Sequence, residues 1–158
     1  INYVEKYDWK IVSGIMFNHE SEFRGKDYLL SKIINYAKNT NIQNEQNLEL
    51  GSLDYKRDWT YAKEVMDACY CLINEDSKGS YVIGSGNSSS IKDMVEIVFS
   101  HFNLDWKEHV SLNNNLLRKG DPITKVSNPE KINKEFGWKS SINFENMIKL
   151  CIENQNNF

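Results

Sequence analysis

Long hydrophobic runs, paired cysteines and surplus positive charge are all missing from this sequence. No apolar run approaches the roughly 20 residues that a membrane-spanning helix needs. The three cysteines, Cys69, Cys71 and Cys151, are an odd number without CxxC spacing, and the first two point to different sides of a predicted helix. The formal net charge of −3 leaves no basic surplus to attract nucleic acid or a membrane surface. We therefore predict a cytoplasmic protein with reduced thiols that binds neither.

Motifs of several common reactions are missing as well. No group of His, Cys and carboxylate residues has metal-ligand spacing, and there is neither a nucleophile elbow nor a P-loop, so we predict no metal site. The 158 residues, 40% hydrophobic and 26% charged, suit one soluble globular domain or a large piece of one. Because the chain begins at Ile1 instead of Met and shows no signal peptide, we expect a processed chain or part of a longer protein.

The stretch from Ser13 to Gly25 carries the most information about function. Its apolar run, residues 14–17, changes abruptly into a polar cluster. The polar residues of this cluster are Asn18, His19, Glu20, Ser21 and Arg24. A buried strand that ends at a ligand crevice shows this pattern, and so does an ordinary strand followed by a solvated loop.

Hydrophobic periodicity and turn residues predict alternating strands and helices, and hence an α/β fold. The predicted strands are Trp9–Phe17, Leu48–Leu50, Arg57–Tyr61, Tyr81–Ile83 and Asp105–Leu112. The predicted helices are Asp27–Lys38, with Tyr28, Leu29, Ile33, Ile34 and Ala37 inward, then Ala62–Ile73, Ile91–Phe102, a short helix between Asn128 and Gly137, and Ile142–Glu153. The other predicted segments are a helix end at Ile1–Tyr7, loops at Asn18–Gly25 and Asn39–Asn47, and a polar turn at Asn113–Asn115.

Two stretches carry a family resemblance. The segment GIMFNHES with Arg24-Gly25 and the segment LGSLDYKRDW, residues 50–59, resemble the substrate half of the GDP-mannose 4,6-dehydratases. These enzymes belong to the extended short-chain dehydrogenase/reductase superfamily. The resemblance implies that residues 1–158 are the C-terminal portion of such an enzyme. That portion comprises the last Rossmann strands plus a small α/β substrate-binding domain, without the N-terminal dinucleotide fold.

The same resemblance implies a reaction and its partners. The family converts GDP-mannose to GDP-4-keto-6-deoxymannose with NADP, and NAD is the second possible cofactor. Its catalytic residues lie upstream of the position that aligns with Ile1, so we expect no catalytic residue in this chain and no activity of the chain alone. We expect a homo-oligomer for the full-length enzyme.

Two arginines are the best phosphate-binding candidates. Arg57 and Arg118 can each grip two oxygens of a diphosphate with a planar guanidinium, although both could also be solvated surface residues. The resemblance places both at the nucleotide-sugar diphosphate, and it places Asp121, of the Arg118-Lys-Gly-Asp121 segment, near the ribose. The following NPEKINKEFGWK segment is similar to a family helix.

The resemblance also assigns roles near the polar cluster. Asn18 corresponds to an Asn that holds the substrate, and Lys32 to a Lys that reaches the nucleotide diphosphate. His19 and Arg24 correspond to positions that face the cofactor. We interpret the other histidines, His101 and His109, as structural.

Two further patterns resemble dehydrogenase motifs, and we interpret both as structural. Tyr28 and Lys32 have Tyr-xxx-Lys spacing, but too few residues precede them for a dinucleotide fold. The loop Gly84-Ser-Gly86-Asn-Ser-Ser89 only partly matches a dinucleotide fingerprint. We expect it to lead into a helix capped by Ser88 or Ser90.

The sequence departs from the dehydratase pattern at two places. Glu22-Phe23 stands where the family often has Pro-Arg, and Thr60-Tyr61 stands where it usually has Gly-His. Because Thr-Tyr is more typical of epimerase relatives, another NAD-dependent nucleotide-sugar epimerase or dehydratase remains an alternative. A non-catalytic nucleotide-sugar-binding fragment is the other.

Overall fold

Strands and helices alternate along the chain, which confirms the predicted α/β class. The computed structural model describes residues 6–7, 9–43 and 46–155, with only the backbone at 41–43. The strands are β1 (Val12–Met16), β2 (Asn18–Glu20), β3 (Leu48–Leu50), β4 (Lys56–Arg57), β5 (Trp59–Tyr61), β6 (Gly79–Ile83), β7 (Ser89–Ser90), β8 (Val110–Leu112) and β9 (Thr124–Lys125). The α-helices are α1 (Leu29–Gln43), α2 (Ala62–Asn74), α3 (Ile91–His101), α4 (Glu130–Phe136) and α5 (Phe144–Asn154), with 3-10 turns at Trp106–Glu108 and Asn114–Leu116.

Most strand pairs are parallel. Strand β1 pairs with β6, β2 with β5, and β3 with β8, all in parallel, while β4 lies between antiparallel β7 and parallel β9. The chain passes from β1 into β2 through Phe17, whose N–H donates to the Ile83 carbonyl at 2.9 Å. In the described part of the chain β1 pairs only with β6, and Ile15 and Met16 are exposed there. This open edge is the aggregation-prone feature expected of a strand from a larger parallel sheet.

The larger hydrophobic core lies among α1, α3 and α5, backed by β3 and β5. Each helix contributes one apolar face with spacing near 3.6 residues, as helix–helix packing requires. The buried residues from these helices are Leu30, Ile33, Ile34, Ala37, Met94, Val95, Val98, Phe99, Met147, Ile148, Cys151 and Ile152. Ser90 starts α3 with a capping box, in which Ser90 Oγ accepts from Asp93 N at 3.0 Å and Asp93 Oδ2 accepts from Ser90 N at 2.8 Å. The prediction of a cap at Ser88 or Ser90 is therefore confirmed at Ser90.

A smaller core holds β1 and β6 against α2 and α4. Its buried residues are Val65, Ala68, Leu72, Tyr81, Ile83 and Ile132. Helix α4 ends at Gly137, whose φ of +69° is the left-handed conformation that glycine adopts without strain. The predicted short helix between Asn128 and Gly137 is therefore confirmed.

Helix α1 is longer than predicted. The loop predicted at Asn39–Asn47 is wrong for residues 39–43, which are helical. The helix continues because its inner face stays buried, with Ala37 only 4% and Thr40 only 3% exposed, and the polar side chains bond locally. Asn39 Nδ2 donates to the Asn35 carbonyl at 2.8 Å, and Thr40 Oγ1 donates to the Tyr36 carbonyl at 3.0 Å. At the other end Tyr28 precedes the helix and is exposed, so its predicted inward orientation is also wrong.

Other predicted bounds also differ. Strand β1 begins at Val12 instead of Trp9, and the predicted strand Arg57–Tyr61 is divided into β4 and β5 at Asp58. The predicted loop at Asn18–Gly25 begins as strand β2, since Asn18, His19 and Glu20 pair with β5. The predicted strand Asp105–Leu112 is confined to β8, because Asp105 caps a 3-10 turn with its side chain. Of the predicted helical end at Ile1–Tyr7, Lys6 and Tyr7 are helical, and residues 1–5 lie outside the described residues.

A buried carboxylate joins the two cores. Glu64, in the first turn of α2, accepts hydrogen bonds from Ser141 N and Oγ, both at 2.7 Å, from Ser140 Oγ at 2.8 Å and from Ile142 N at 3.1 Å. Burial alone would raise the pKa of Glu64, but these hydrogen bonds outweigh it and hold the pKa below its ordinary value. The segment that leads into α5 is thereby attached to α2.

We expect Glu64→Gln to lower the free energy of unfolding by about 1.5–3 kcal/mol near neutral pH. Because the folded-state pKa of Glu64 is lowered, its contribution is complete above the ordinary pKa of glutamate and is lost as the pH falls through the folded-state value. Urea unfolding between about pH 7 and pH 3 should show the two proteins converging in acid. Asp67→Asn, an exposed carboxylate on the same helix, is the control, and a constant Glu64→Gln difference across this range would contradict the prediction.

Candidate functional site

A cleft of about 460 Å³ lies where the carboxyl end of β2 meets the start of α1, strands β3 to β5 and the segment 116–121. Its lining is rich in charge of both signs. The cationic lining residues are Arg24, Lys32, Arg57 and Arg118. The anionic lining residues are Glu20, Asp27, Glu49 and Asp121. Glu20, the last residue of β2, lines the cleft, and in open α/β sheets ligands bind at the carboxyl ends of parallel strands.

The structure brings six of the seven residues predicted from the sequence to this cleft. They are Asn18, Arg24, Lys32, Arg57, Arg118 and Asp121. The seventh, His19, does not line it. Because side chains alternate along a strand, His19 points away from the face that carries Asn18 and Glu20. Its ring Nδ1 lies 3.0 Å from the Phe17 carbonyl oxygen. The ligand-binding roles of all seven residues remain predictions.

Arg57 is buried and held from several sides. Its Nη2 donates to Asp121 Oδ2 at 2.7 Å, and its Nη1 donates to the carbonyls of Lys56 at 2.7 Å and Ile123 at 3.0 Å. Asp121 Oδ1 also accepts from Lys125 Nζ at 2.6 Å. Lys125 first, and then Arg57, hold the pKa of Asp121 below its ordinary value, so this carboxylate stays charged. The guanidinium plane at the cleft wall is thus oriented before any ligand arrives.

The other cationic residues are more accessible. Arg118 and Lys32 are both exposed. Lys32 Nζ donates to the Glu49 carbonyl at 2.9 Å, which holds the ammonium at the β3 side of the cleft. Arg57 is held in place and can fix the position of a bound polyanion. The exposed Arg118 and Lys32 can move to contact its remaining oxygens.

Glu20 and Arg24 form an ion pair in the wall of the cleft. Glu20 is only 5% exposed, and its Oε2 lies 3.6 Å from Arg24 Nε. The Arg24 guanidinium carbon stacks 3.8 Å from the centre of the Tyr28 ring. Burial raises the pKa of Glu20 to about 7, although the charge of Arg24 opposes the shift.

Sequence reasoning missed Glu20, which stood in the polar cluster without a role. The available signal was period-two alternation, because a strand at residues 18–20 places Glu20 on the same face as Asn18. The local polarity favoured a loop instead. The sequence patterns place Tyr28 in a Tyr-xxx-Lys pair and on the inner face of a helix, but in the structure its ring stacks on Arg24.

Asp58 explains the glycine-rich loop after β6. The carboxylate is fully buried and accepts from Ser85 N and Gly86 N, each at 2.9 Å, and from Ser85 Oγ at 2.6 Å. It also accepts from the N–H and hydroxyl of Ser127. The loop amides that could face a dinucleotide phosphate are therefore bonded to a side chain of the same protein. This supports the structural interpretation of the Gly84–Ser89 loop.

Other classes of site were sought in the described residues. There, no group of three or more His, Cys, Asp and Glu residues could hold a metal ion. Within the same part of the chain, no helix is long and apolar enough to cross a membrane.

Comparison with known proteins gives consistent matches. A family model described as GDP-mannose 4,6 dehydratase matches residues 1–151. The chain is 27% identical over 153 residues to GDP-mannose 4,6 dehydratase 1 of Arabidopsis thaliana, covering 97% of this chain and 42% of that protein. It superposes on dTDP-glucose 4,6-dehydratase from Bacillus anthracis, solved with NAD, with a TM-score of 0.84, 17% identity and coverage of 98% of this chain and 47% of the other. It also superposes on RMD from Pseudomonas aeruginosa, complexed with NADPH. The TM-score is 0.82 and the identity 16%, and the match covers 99% of this chain and 51% of the other.

The sequence and structural matches support different statements. At 17% and 16% identity the structural matches show the fold alone, an α/β fold that corresponds to about half of each matched chain, which confirms the predicted fold class. The chain spans less than half the length of the Arabidopsis relative that it matches. The family match, in contrast, extends over nearly all 158 residues. The chain therefore belongs to the GDP-mannose 4,6-dehydratase family.

Proposed function

We propose that this chain is the GDP-sugar-binding part of an enzyme that converts GDP-mannose to GDP-4-keto-6-deoxymannose. The observation that carries the proposal is the charged cleft, which gathers Arg57, Arg118, Lys32 and Asn18 from four separate segments. A nucleotide sugar presents a diphosphate between two polar groups, and a cleft with several converging cations and one amide suits that chemistry.

Each lining residue has a distinct role in the proposal. Arg57, held by Asp121, supplies a fixed planar donor for the diphosphate, and Arg118 closes on the same group from the exposed segment. Lys32 adds a point charge beside them. Asn18 is the first residue of β2, and its amide can donate hydrogen bonds to and accept them from the sugar or its phosphate. Asp121 is assigned to the ribose, as the family resemblance implies.

The cofactor in this proposal is a nicotinamide dinucleotide, NADP or NAD. When bound, it takes a hydride from C4 of the hexose and returns it to C6 after water is lost across C5–C6. Arg24 fits a phosphate-binding role, because in the described part of the chain its buried Nε has no hydrogen-bond partner. His19 would contact the cofactor from the other face of β2. NADP in preference to NAD follows from the family resemblance.

The two departures from the dehydratase pattern contact each other. Tyr61 Oη donates to Glu22 Oε2 at 2.9 Å, and neither residue lines the cleft. A tyrosine and a glutamate that replace the usual residues together can satisfy each other without changing the sugar-binding wall. Because the contact lies outside the cleft, the two departures give no evidence from the binding wall for the epimerase alternative.

We expect the chain to bind GDP-mannose and GDP, and we expect Arg118→Ala to weaken both by about tenfold or more through loss of a charge-assisted hydrogen bond. Lys119→Ala, a neighbouring exposed cation that does not line the cleft, is the matched control. Isothermal titration calorimetry at constant ionic strength measures both affinities. No measurable binding by the wild type, or equal losses in the two variants, would remove the proposal.

A further inference from the structure

Glu20 is an unusual lining residue because it is buried and incompletely bonded. It ends strand β2, opposite Tyr61 of β5. Among the described residues its Oε2 has no hydrogen-bond partner, although a carboxylate is costly to bury unpaired. The side chain lines the charged cleft. A buried, unbonded oxygen at a cleft wall suggests a role that a ligand completes.

The geometry of Arg24 shows the same incompleteness. Its Nε lies 3.6 Å from Glu20 Oε2, which is attraction without a hydrogen bond, and in the described structure Nε has no hydrogen-bond partner at all. The Tyr28 ring restrains the guanidinium from the other side at 3.8 Å. Arg24 is thus oriented by a carboxylate and a ring while retaining donors for another anion.

Two of the titratable groups beside Glu20 carry no charge near neutral pH. Burial, together with nearby Glu20 and Glu22, raises the pKa of the Cys151 thiol to about 12, and burial with Glu22 raises that of Tyr61 to about 12. Both are therefore neutral near pH 7. Arg24 is the charge that stabilises the Glu20 carboxylate, and Glu22, bonded to Tyr61, is a further anion on this side. Across the cleft the charged lining residues are Lys32, Arg57, Arg118, Asp27, Glu49 and Asp121.

We propose that Glu20 is a positioning residue for Arg24, and that it takes up a proton from solvent when an anionic ligand in the cleft binds the Arg24 guanidinium. Without ligand, the carboxylate holds the guanidinium in the wall. A bound phosphate competes for the same positive charge and adds its own negative charge. Both effects disfavour the ionised form of Glu20, so anion binding and proton uptake are coupled. The proposal rests on the proposed function only for the identity of the ligand. Arg24 was assigned above to a cofactor phosphate, but it lines the same cleft as Lys32 and Arg57, so the diphosphate of GDP-mannose also brings negative charge close to it and is the anion used in the tests.

The coupling has a direct consequence for affinity. The pKa of Glu20 is already raised to about 7 by burial, so a small additional effect changes its protonation in neutral solution. Affinity for a non-titrating anion should fall as the pH rises through this range, by about tenfold in total if binding raises the pKa of Glu20 by one unit. A carboxylate that only fills space in the wall would leave the affinity independent of pH.

The first test measures GDP-mannose affinity by calorimetry between about pH 6 and pH 8.5, a range in which its diphosphate does not titrate. We expect the wild-type affinity to fall with pH and the affinity of Glu20→Gln to remain nearly constant. Asp27→Asn, which removes another lining carboxylate, should retain the wild-type pH dependence. An unchanged pH dependence in Glu20→Gln would overturn the inference even if Arg118→Ala behaves as the proposed function requires.

The second test follows the Glu20 carboxyl carbon by NMR during pH titration. In the free wild type Arg24 lowers the pKa, so Arg24→Gln should raise it, and GDP-mannose should raise the wild-type pKa by about one unit while leaving that of Arg24→Gln unchanged. If GDP-mannose does not bind, the proposed function fails. In that case the pKa of Glu20 is measured in sulfate and in chloride at equal ionic strength. A sulfate-induced rise that requires Arg24 supports it, and no rise overturns it.

Discussion

Asp58→Ala is expected to lower the free energy of unfolding by about 3–5 kcal/mol, a large share of the stability of a small domain. The substitution removes the acceptor of the buried Ser127 N–H and hydroxyl and of the half-buried Ser85 N–H and hydroxyl, while the N–H of exposed Gly86 keeps Ser127 Oγ as a second acceptor at 3.1 Å. Each unsatisfied buried donor costs about 1–3 kcal/mol, and the interior has little room to admit water. A Cβ on Gly84 would clash with Ser127 Oγ and approach Ser127 Cβ to 2.8 Å, which shows how closely this region is packed.

The same substitution should disturb the cleft. Asp58 stands between Arg57 and Trp59, both of which line the cleft, and Asp58 N donates to the Lys125 carbonyl at 3.0 Å. Urea unfolding measures the stability loss. Asp54→Ala, an exposed carboxylate in the same segment, is the control and should change stability by less than about 0.5 kcal/mol. Equal effects of the two substitutions would show that the Asp58 network does not stabilise the fold.

Arg57→Ala is expected to weaken GDP-mannose binding by about 10- to 150-fold, equivalent to roughly 1.5–3 kcal/mol. The expected loss exceeds that of an exposed lysine, because Arg57 is oriented before ligand binding by Asp121 and two backbone carbonyls. The same bonds mean that the substitution also removes internal contacts. Near-ultraviolet circular dichroism and the melting temperature must therefore accompany the titration.

Arg57→Lys separates charge from geometry in the second prediction. The ammonium keeps the positive charge but cannot grip two phosphate oxygens in one plane, so we expect an affinity between those of the wild type and Arg57→Ala. Calorimetry on folded variants decides the issue. The diphosphate assignment is wrong if Arg57→Ala and Arg118→Ala both bind GDP-mannose as tightly as the wild type does.

Much of the architecture was readable from local patterns. The helices α2, α3 and α5 have one apolar face each. Local residues also mark helix ends, as Ser90 does at the start of α3 and Gly137 at the end of α4. Parallel β6 followed by α3 gave the α/β class. These elements were predictable because periodicity and capping depend on residues close together in the chain.

The site was only partly predictable. The hydrophobic run that ends at Asn18 indicated a crevice, and the family resemblance selected Arg57 and Arg118, which the structure brings to the same cleft. Glu20 and His19 could not be assigned to faces, because that depends on whether residues 18–20 form a strand. Pairing with β5, some forty residues away in sequence, decides that question.

By itself the sequence determined the α/β class, most helices and the set of cations available to bind a diphosphate, since each of these follows from residue type and local spacing. The family came from the resemblance of two motifs, which the family match confirms. Tertiary structure alone decided which of those residues meet. It placed Asn18 and Glu20 on the face opposite His19, joined Arg57 to Asp121 across 64 positions, and satisfied the glycine-rich loop with Asp58. Such contacts depend on long-range strand pairing and on the need of buried polar groups for partners, and no local pattern in the chain encodes them.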